Sequence, residues 1–163
     1  TLNGHPFTIE DRSVHDVSDA ELKAMLERAW QVGGLQFRAN FRDVLTDETA
    51  NAKLAEFVKD KIRSIVRDPA TAERLADIDH PYAAKRPPID SFYFEAFNRD
   101  NVALVDVRED PIQRITPTGI RLQSGREFAL DIIVFATGYD AMTGPLMGLN
   151  ITGAGGRTLA KTW

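Results

Sequence analysis

Two adjacent cations stand directly before a pair of prolines in the middle of the chain, as Lys85-Arg86-Pro87-Pro88. Because the prolines hold the backbone in an extended form and keep it out of a helix, this loop would present both basic side chains rigidly. A lysine ammonium suits a phosphate as a point charge, and a permanently charged guanidinium suits an anionic oxygen that forms during a reaction. The alternative is a solvated basic linker, which these four residues taken alone favour.

A second candidate is the segment from Asp131 to Asp140, which reads Asp-Ile-Ile-Val-Phe-Ala-Thr-Gly-Tyr-Asp. Its unbroken apolar run, Ile132 to Ala136, is typical of a strand buried on both faces of an α/β sheet. Such a strand would deliver Thr137 and Gly138 to the carboxyl end of the sheet, where the Gly138 backbone could approach a ligand closely. The sequence supplies too few neighbouring strands and covering helices for this sheet, which indicates an incomplete chain.

Other kinds of site find little support in the sequence. The three histidines, His5, His15 and His80, are far apart, and no cysteine is present to complete a zinc site. A nucleophilic Gly-x-Ser-x-Gly motif is absent, and we interpret Ser124-Gly125 as the turn of a hairpin. The glycine-rich stretch Gly153 to Thr158 has Thr158 in place of the third glycine of a dinucleotide fingerprint, so we predict a loop there.

The composition limits the class of protein. With 163 residues, 43% of them hydrophobic and 27% charged, the chain has the length and balance of one globular domain. Its net charge of -4 argues against a nucleic-acid binder, which normally carries a basic face. No apolar run reaches the roughly 18 residues of a membrane helix, no signal peptide is evident and cysteine is absent. We therefore expect a soluble, cytoplasmic protein that binds neither nucleic acid nor membrane.

The first half of the chain is predicted to be helical. Ser18 and Glu21 form the pattern of a capping box before an apolar stripe that ends at Gly33-Gly34. A longer stripe, from Leu54 to Val66, follows the acidic residues of Thr46-Asp47-Glu48. These two stripes predict two helices.

A cap and a proline at Asp68-Pro69 predict a third, short helix from Ala70 to Leu75. Between the first two helices, Phe37, Phe41, Val44 and Leu45 have a spacing that allows one more helix packed under the others. The simplest interpretation of all these stripes is core packing.

The second half is predicted to be richer in turns, since eight of the 11 glycines lie after residue 80. We expect Asp79-His80-Pro81 to be a linker and Val102 to Val107 to be a strand. We expect Ile112 to Thr116 and Ile120 to Gln123 to form a hairpin around Pro117-Thr118-Gly119.

Five stretches of this sequence, in their order and spacing, resemble the flavin-dependent Baeyer-Villiger monooxygenases of the cyclohexanone and phenylacetone monooxygenase type. The resemblance covers nearly the whole chain. The stretches are Asp47-Glu48-Thr49-Ala50-Asn51, Lys85-Arg86, Phe97-Asn98-Arg99-Asp100-Asn101-Val102, Ala136-Thr-Gly-Tyr-Asp-Ala-Met-Thr-Gly144 and Leu159-Ala-Lys-Thr-Trp163, with the Ala-Thr-Gly motif the most specific.

The resemblance implies an α+β fragment of a doubly wound α/β flavoenzyme, with a helical subdomain followed by a small sheet with a β-hairpin. Residues 1-80 would be the helical insertion of the NADPH domain, residues 81-130 the end of that domain with the hairpin, and residues 131-163 the return strand and loop into the FAD domain. The family's two glycine-rich fingerprints and the signature between them are missing from this sequence. We therefore expect an internal fragment of a longer enzyme.

The resemblance also implies roles for particular residues. Arg86 matches the family's catalytic arginine, and Lys85 matches the neighbouring lysine that pairs with the 2'-phosphate of NADPH. Thr137 and Gly138 would shape the cofactor cleft. For Asn98-Arg99-Asp100 we expect a structural role, in which the triplet holds the loop before Val102 in place.

The parent enzyme would use FAD, NADPH and molecular oxygen to insert one oxygen atom next to a ketone carbonyl and give an ester or lactone. The fragment itself would be inactive, would retain neither FAD nor NADPH, and would be prone to self-association through exposed surface. Two alternatives remain open. One is another flavin-dependent N- or S-hydroxylating monooxygenase, and the other is a stand-alone helical interaction module, which would need a complete core and no exposed apolar edge.

Overall fold

The computed structural model describes residues 10–138 and 143–163, which fall into two compact units, Thr1–Val105 and Asp106–Trp163. The first unit is helical and the second contains a small antiparallel sheet. A helical region followed by a hairpin sheet was the architecture predicted from the sequence, and in this coarse form it is confirmed. His5 and the Tyr139 to Met142 part of the Ala-Thr-Gly motif lie outside the described residues.

Four α-helices lie in the described part of the first unit, and the three helices predicted from the sequence are among them. The 3-10 helix at Gly34–Asn40 occupies the region whose spacing was ambiguous, and a second 3-10 turn lies at Val14–Asp16. The α-helices are α1 (Asp19–Val32), α2 (Glu48–Ile65), α3 (Pro69–Ala76) and α4 (Tyr93–Ala96).

The three long helices begin at the side-chain caps that the sequence predicts. The side chains of Ser18, Asp47 and Asp68 each accept a hydrogen bond from a backbone amide of the first helical turn, which would otherwise lack a partner. The capping box predicted at Ser18 is half formed, because the Glu21 carboxylate accepts hydrogen bonds from Arg12 at 2.9 and 3.2 Å. The reciprocal box lies instead at the preceding 3-10 turn, Val14–Asp16.

The main core lies between α1, the Gly34–Asn40 turn and α2. Of the four ambiguous apolar residues, three are buried as predicted, whereas Leu45 is 55% exposed. The ring of Phe37 stacks on Phe57 with centroids 5.7 Å apart. The buried residues of this core are Val14, Leu22, Leu26, Ala29, Phe37, Phe41, Val44, Ala50 and Leu54.

A second, smaller core joins the carboxyl half of α2 to α3. Ile62 and Val66 pack there against Ala72 and Ala76 of α3. The aromatic rings of Phe94 and Phe97, in and after α4, cover this cluster from outside. The chain therefore returns to α2 after the loop that carries Lys85 and Arg86.

The described residues of the second unit form three antiparallel strands in the order β1-β2-β3. The strands are β1 (Ile112–Thr116), β2 (Gly119–Leu122) and β3 (Glu127–Ala129). The predicted hairpin between β1 and β2 is confirmed, as is the turn at Ser124-Gly125, which joins β2 to β3.

Two short helices complete this unit, α5 (Thr143–Gly148) and α6 (Leu159–Thr162). The loop predicted from Gly153 to Thr158 is confirmed, and an isolated bridge between Thr152 and Thr158 closes it.

Two predicted strands are wrong. Residues 102–107 and 132–136 are irregular, and neither run pairs in a ladder with the described part of the chain. The first run ends in a turn, because the Asp106 carboxylate accepts a hydrogen bond from the Arg108 amide and the Asp106 carbonyl accepts one from the Asp110 amide. The second leaves its apolar side chains exposed, 80% for Ile132 and 82% for Val134. A β-branched run becomes a strand only where a neighbouring strand supplies hydrogen-bond partners.

No helix in the described ranges is both long enough and apolar enough to cross a membrane.

Candidate functional site

Lys85 and Arg86 lie in an exposed irregular loop of the first unit. Neither side chain makes a hydrogen bond or ion pair with the described residues. Arg63 of the same unit differs, because its guanidinium binds the carboxylates of Glu73, Glu56 and Asp60. These hydrogen bonds raise the pKa of Arg63, and the three carboxylates balance its positive charge. The two loop cations keep their charge available for an external anion.

The loop begins at a residue that is held by a buried side chain of α2. Asn51, which is 8% exposed, donates from Nδ2 to the carbonyl oxygen of Tyr82 at 2.9 Å and accepts from the Tyr82 amide through Oδ1 at 2.8 Å. The same Nδ2 donates to the carbonyl oxygen of Val44 at 2.9 Å. One side-chain amide thus holds both backbone polar groups of Tyr82 and the end of the segment before α2.

The ring of Tyr82 is held as well. It meets Phe37 edge to face, with ring centroids 5.6 Å apart, and packs on the main core. Burial raises the pKa of the Tyr82 phenol. Tyr82 lies in a turn that is closed by a hydrogen bond from the Ala84 amide to the Pro81 carbonyl, and Ala83 in this turn has a φ of 62°. Lys85 comes next in the chain.

The other end of α2 is held by Asn98. Its Nδ2 donates to the Ile65 carbonyl at 2.8 Å, and its Oδ1 accepts from the Arg67 amide at 2.8 Å. These bonds satisfy backbone groups that the end of a helix leaves without partners. The structural role predicted for the Asn98 triplet therefore has a defined form, although the backbone that Asn98 holds belongs to the end of α2.

The Asp47 to Asn51 motif serves the start of α2. The Asp47 carboxylate accepts from Thr49 Oγ1 at 2.6 Å and from the Ala50 amide at 2.8 Å, and it lies 3.3 Å from His15 Nε2. These hydrogen bonds lower the pKa of Asp47 far below its ordinary value. His15 is thus part of a surface helix cap, and the described residues contain no cluster that could hold a metal ion.

Thr137 and Gly138 lie in the second unit and both are exposed. Gly138 has a φ of +78°, a left-handed conformation that favours glycine, and no atom lies within 4 Å of the position a Cβ would take. The close backbone approach predicted from the sequence is therefore sterically open at Gly138. The segment that continues the motif, Tyr139 to Met142, lies outside the described residues.

Asn51 and Tyr82 were given no functional role by the sequence analysis. Asn51 belongs to one of the stretches that carry the family resemblance, and Tyr82 belongs to none. A signal was available for Asn51, because it stands beside Ala50 and three residues before Leu54 on the buried face of α2. A buried polar residue on an apolar stripe needs a hydrogen-bond partner inside the protein, so the position of Asn51 predicts such a contact without naming the partner.

Curated proteins similar to this chain are monooxygenases. Cyclopentanone 1,2-monooxygenase of a Comamonas species is 42% identical over 98% of this chain and 30% of its own length. A Baeyer-Villiger monooxygenase of Pseudooceanicola batsensis is 46% identical over 90% of this chain and 27% of its own length. The chain belongs to the Baeyer-Villiger monooxygenase family. No family model matches the sequence.

Solved structures of this family agree with the fold of the chain. OTEMO in complex with FAD and NADP matches with a TM-score of 0.87 and 42% identity, over 97% of this chain and 29% of that one. An oxidised steroid monooxygenase bound to NADP matches with a TM-score of 0.84 and 48% identity, over 98% of this chain and 30% of that one.

One relative in the same similarity range carries a different name. Phenazine N-monooxygenase PhzNO1 of Lysobacter antibioticus is 39% identical over 93% of this chain and 28% of its own length. The chain spans about 30% of the length of the curated relatives that it matches.

Proposed function

We propose that this chain is part of a cytoplasmic FAD- and NADPH-dependent monooxygenase that inserts one oxygen atom next to a ketone carbonyl to give an ester or lactone. The observation that carries the proposal is the 42% identity to cyclopentanone 1,2-monooxygenase over 98% of the chain. Similarity of this extent to one continuous part of a ketone-oxidising enzyme favours the same chemistry. The partners of the whole enzyme are then a ketone substrate and molecular oxygen.

Within that enzyme, residues 1-80 are the helical insertion of the NADPH domain, and residues 81-130 are the end of that domain. Residues 131-163 return into the FAD domain of a doubly wound α/β fold. The exposed apolar side chains of Ile132, Val134 and Phe135 support this arrangement, because the remainder of the enzyme would cover them.

The residues of the loop fit an anionic nicotinamide cofactor. Lys85 is an exposed cation without a partner among the described residues, as a contact to the 2'-phosphate of NADPH requires. Thr137 and Gly138 would line the cofactor cleft, where the left-handed φ of Gly138 lets the backbone approach closely. FAD and NADPH would supply the redox chemistry of the reaction, hydride transfer and oxygen activation, at the site that Lys85, Thr137 and Gly138 would help to hold.

Arg86 is the catalytic residue of this proposal. A guanidinium group is a permanent cation in proteins, so it can hold a negatively charged oxygen beside the flavin without giving up a proton. The two prolines that follow fix the backbone and keep this segment out of a helix. Arg86 therefore meets the developing charge with little reorganisation.

Oxidation of an aromatic nitrogen is the second candidate, supported by the 39% identity to phenazine N-monooxygenase PhzNO1. Both reactions transfer one oxygen atom from the flavin to a substrate. A stand-alone helical module is disfavoured, because the exposed apolar run at 132–136 is the edge that such a module would lack.

A product analysis separates the two reactions. The whole enzyme that contains this chain would be incubated with NADPH, FAD and oxygen-18 gas, with cyclopentanone in one reaction and phenazine in another. We expect a lactone that carries one oxygen-18 atom, formed only when NADPH is present. N-oxide formation without any lactone, across a panel of cyclic and linear ketones, would favour the second candidate, and neither product would contradict both.

A further inference from the structure

We infer that Asn51 is a positioning residue that sets the place of Lys85 and Arg86 and thereby the preference for a phosphorylated nicotinamide cofactor. The inference rests on the function proposed above. Asn51 makes no contact with the two cations, and it acts through the backbone of Tyr82, three residues before Lys85.

The loop has few internal supports of its own. Residues 85–89 make no hydrogen bond to the described part of the chain, and the next backbone amide with a partner is that of Tyr93, which donates to the Asp90 carboxylate. Upstream, the turn from Pro81 to Ala84 is the last hydrogen-bonded structure before Lys85. The position of the two cations therefore depends on how firmly this turn is attached to the helical unit.

The segment from Tyr82 to Asn98, which carries the loop, is attached to α2 at both ends of the helix. Asn51 lies in the first turn of α2 and holds Tyr82, while the Ile65 carbonyl at the last residue of α2 is held by Asn98. These two points on α2 are about 21 Å apart at 1.5 Å per residue. The segment between Tyr82 and Asn98 is therefore held at two separated points of one helix. Along the chain, the two cations come three and four residues after Tyr82 and at least twelve before Asn98.

The chemistry of the Asn51 contact requires a primary amide. Holding the N–H and the C=O of the same residue needs an acceptor and a donor on one short side chain, which asparagine provides. In Asn51→Ala all three hydrogen bonds are lost, and the Val44 and Tyr82 carbonyls lose that partner. Asn51→Ser retains one short hydroxyl that can donate or accept, so it is a milder change.

The matched control is Asn98→Ala. It removes two hydrogen bonds between a side-chain amide and the backbone of Ile65 and Arg67, against three in Asn51→Ala. It lies in the same unit, but its site is twelve residues beyond Arg86. Both variants are expected to lower the melting temperature. Only the Asn51 variants are expected to alter the loop and its cofactor preference.

Two measurements on the whole flavin-loaded enzyme test the inference, and neither depends on turnover. Hydrogen exchange of the peptide containing residues 82–86 should be about tenfold faster in Asn51→Ala, because two hydrogen bonds to Tyr82 are gone. The equilibrium dissociation constant for NADP⁺ should rise about tenfold while that for NAD⁺ stays within about twofold, because only the former pairs a phosphate with Lys85. Asn51→Ser should give intermediate values, and serves if Asn51→Ala does not fold.

Unchanged exchange at residues 82–86, an unchanged ratio of NADP⁺ to NAD⁺ affinity, or an equal change in Asn98→Ala would each overturn the inference. Failure of the proposed function looks different, since the wild-type enzyme would then show no preference for NADP⁺. The exchange measurement would still decide whether Asn51 orders the loop.

Discussion

Asn51 and Tyr82 are joined by two hydrogen bonds, in which one buried side-chain amide binds both the N–H and the C=O of a single loop residue at 2.8 and 2.9 Å. The pairing has the form of a short piece of β-ladder between a helix side chain and a loop backbone. It fixes where the exposed loop begins, immediately before Lys85 and Arg86. Helix α2 of the first unit therefore determines where the loop with Lys85 and Arg86 starts.

The first prediction concerns the phosphate contact of Lys85. In the whole enzyme, Lys85→Ala should raise the Michaelis constant for NADPH at least tenfold and leave that for NADH little changed, because the lost charge meets only the 2'-phosphate. Steady-state kinetics with both cofactors measures this. Lys53→Ala is the control, because it removes a lysine paired with Asp19 from the same unit. Equal losses with NADPH and NADH would remove the phosphate role from Lys85.

The second prediction is that the 163-residue chain alone retains no flavin and has no oxygenase activity. The reason is chemical, since this sequence lacks the glycine-rich turns whose backbone amides cradle the cofactor phosphates. Purified chain, mixed with FAD and passed through a desalting column, should show no flavin absorbance. Stoichiometric yellow protein would show that the residues of this chain suffice for binding.

The third prediction concerns acid stability. Burial tends to raise the pKa of Asp43, but hydrogen bonds from the Ser13 hydroxyl and the Val14 amide outweigh it, so the pKa is lowered overall. Hydrogen bonds from Thr49, Ala50 and His15 lower the pKa of Asp47. When the folded-state pKa is the lower one, the unfolded chain takes up protons first as the pH falls. The stability that these groups contribute is full above the ordinary value of 3.8 and is lost as the pH falls below it.

Melting temperatures of the chain between about pH 2 and 7 would test this linkage. Asp47→Asn should flatten the acidic limb of the curve, since its hydrogen bonds no longer depend on a proton, whereas the exposed Asp100→Asn should leave the limb as in the wild type. An acidic limb unchanged by Asp47→Asn would assign the acid sensitivity to other groups.

The fourth prediction concerns the turn of the hairpin. Gly119 has a φ of +153°, and a Cβ built on it would lie 1.8 Å from the Phe128 carbonyl oxygen of the neighbouring strand. Gly119→Ala should therefore separate β2 from β3 and lower the free energy of unfolding by about 2 to 4 kcal/mol.

Gly125→Ala is the matched control for that substitution. It also has a positive φ, at +90°, but no atom lies within 4 Å of its Cβ position, so only backbone strain of about 1 kcal/mol is expected. Urea denaturation of the two variants gives the comparison. Similar losses for both would show that conformational strain, and not the close contact with Phe128, governs this sheet.

The helices and the hairpin could be predicted because their signals are local. Caps at Ser18, Asp47 and Asp68, with apolar stripes behind them, depend on neighbours within one turn of helix. Gly119, the first residue of β2, likewise marks the turn between β1 and β2 in the sequence. Such features form wherever the segment is placed.

The two failed strands depended on partners that a segment cannot supply for itself. The run from Ile132 to Ala136 has the composition of a central strand, yet the described residues offer it no ladder. The contact between Asn51 and Tyr82 was missed for a related reason, since it joins residues 31 positions apart in the chain and only the fold brings them together. Lys85 and Arg86 could be proposed as site residues because two cations before two prolines match a motif of the family, whereas the contact that holds their loop could not be predicted.

The central claim is that Arg86 stabilises the negative oxygen that develops during transfer to the ketone. Passing hydride from NADPH to the flavin does not require this charge, whereas oxygen transfer does. Removal of one preorganised donor to a developing oxyanion costs about 3 to 4 kcal/mol, or about two to three orders of magnitude in rate.

Stopped-flow absorbance of Arg86→Ala in the whole flavin-loaded enzyme tests this claim most directly, because it follows flavin reduction and flavin reoxidation separately, with product quantified in the same samples. Arg126→Ala, in which an arginine lying over the Phe128 ring is removed, is the control for loss of an exposed guanidinium. We predict that Arg86→Ala reduces its flavin at a rate near that of the wild type and forms ester at least about a hundredfold more slowly. Ester formation by Arg86→Ala at a rate near that of the wild type would contradict the account and leave Arg86 as a solvated cation of the loop.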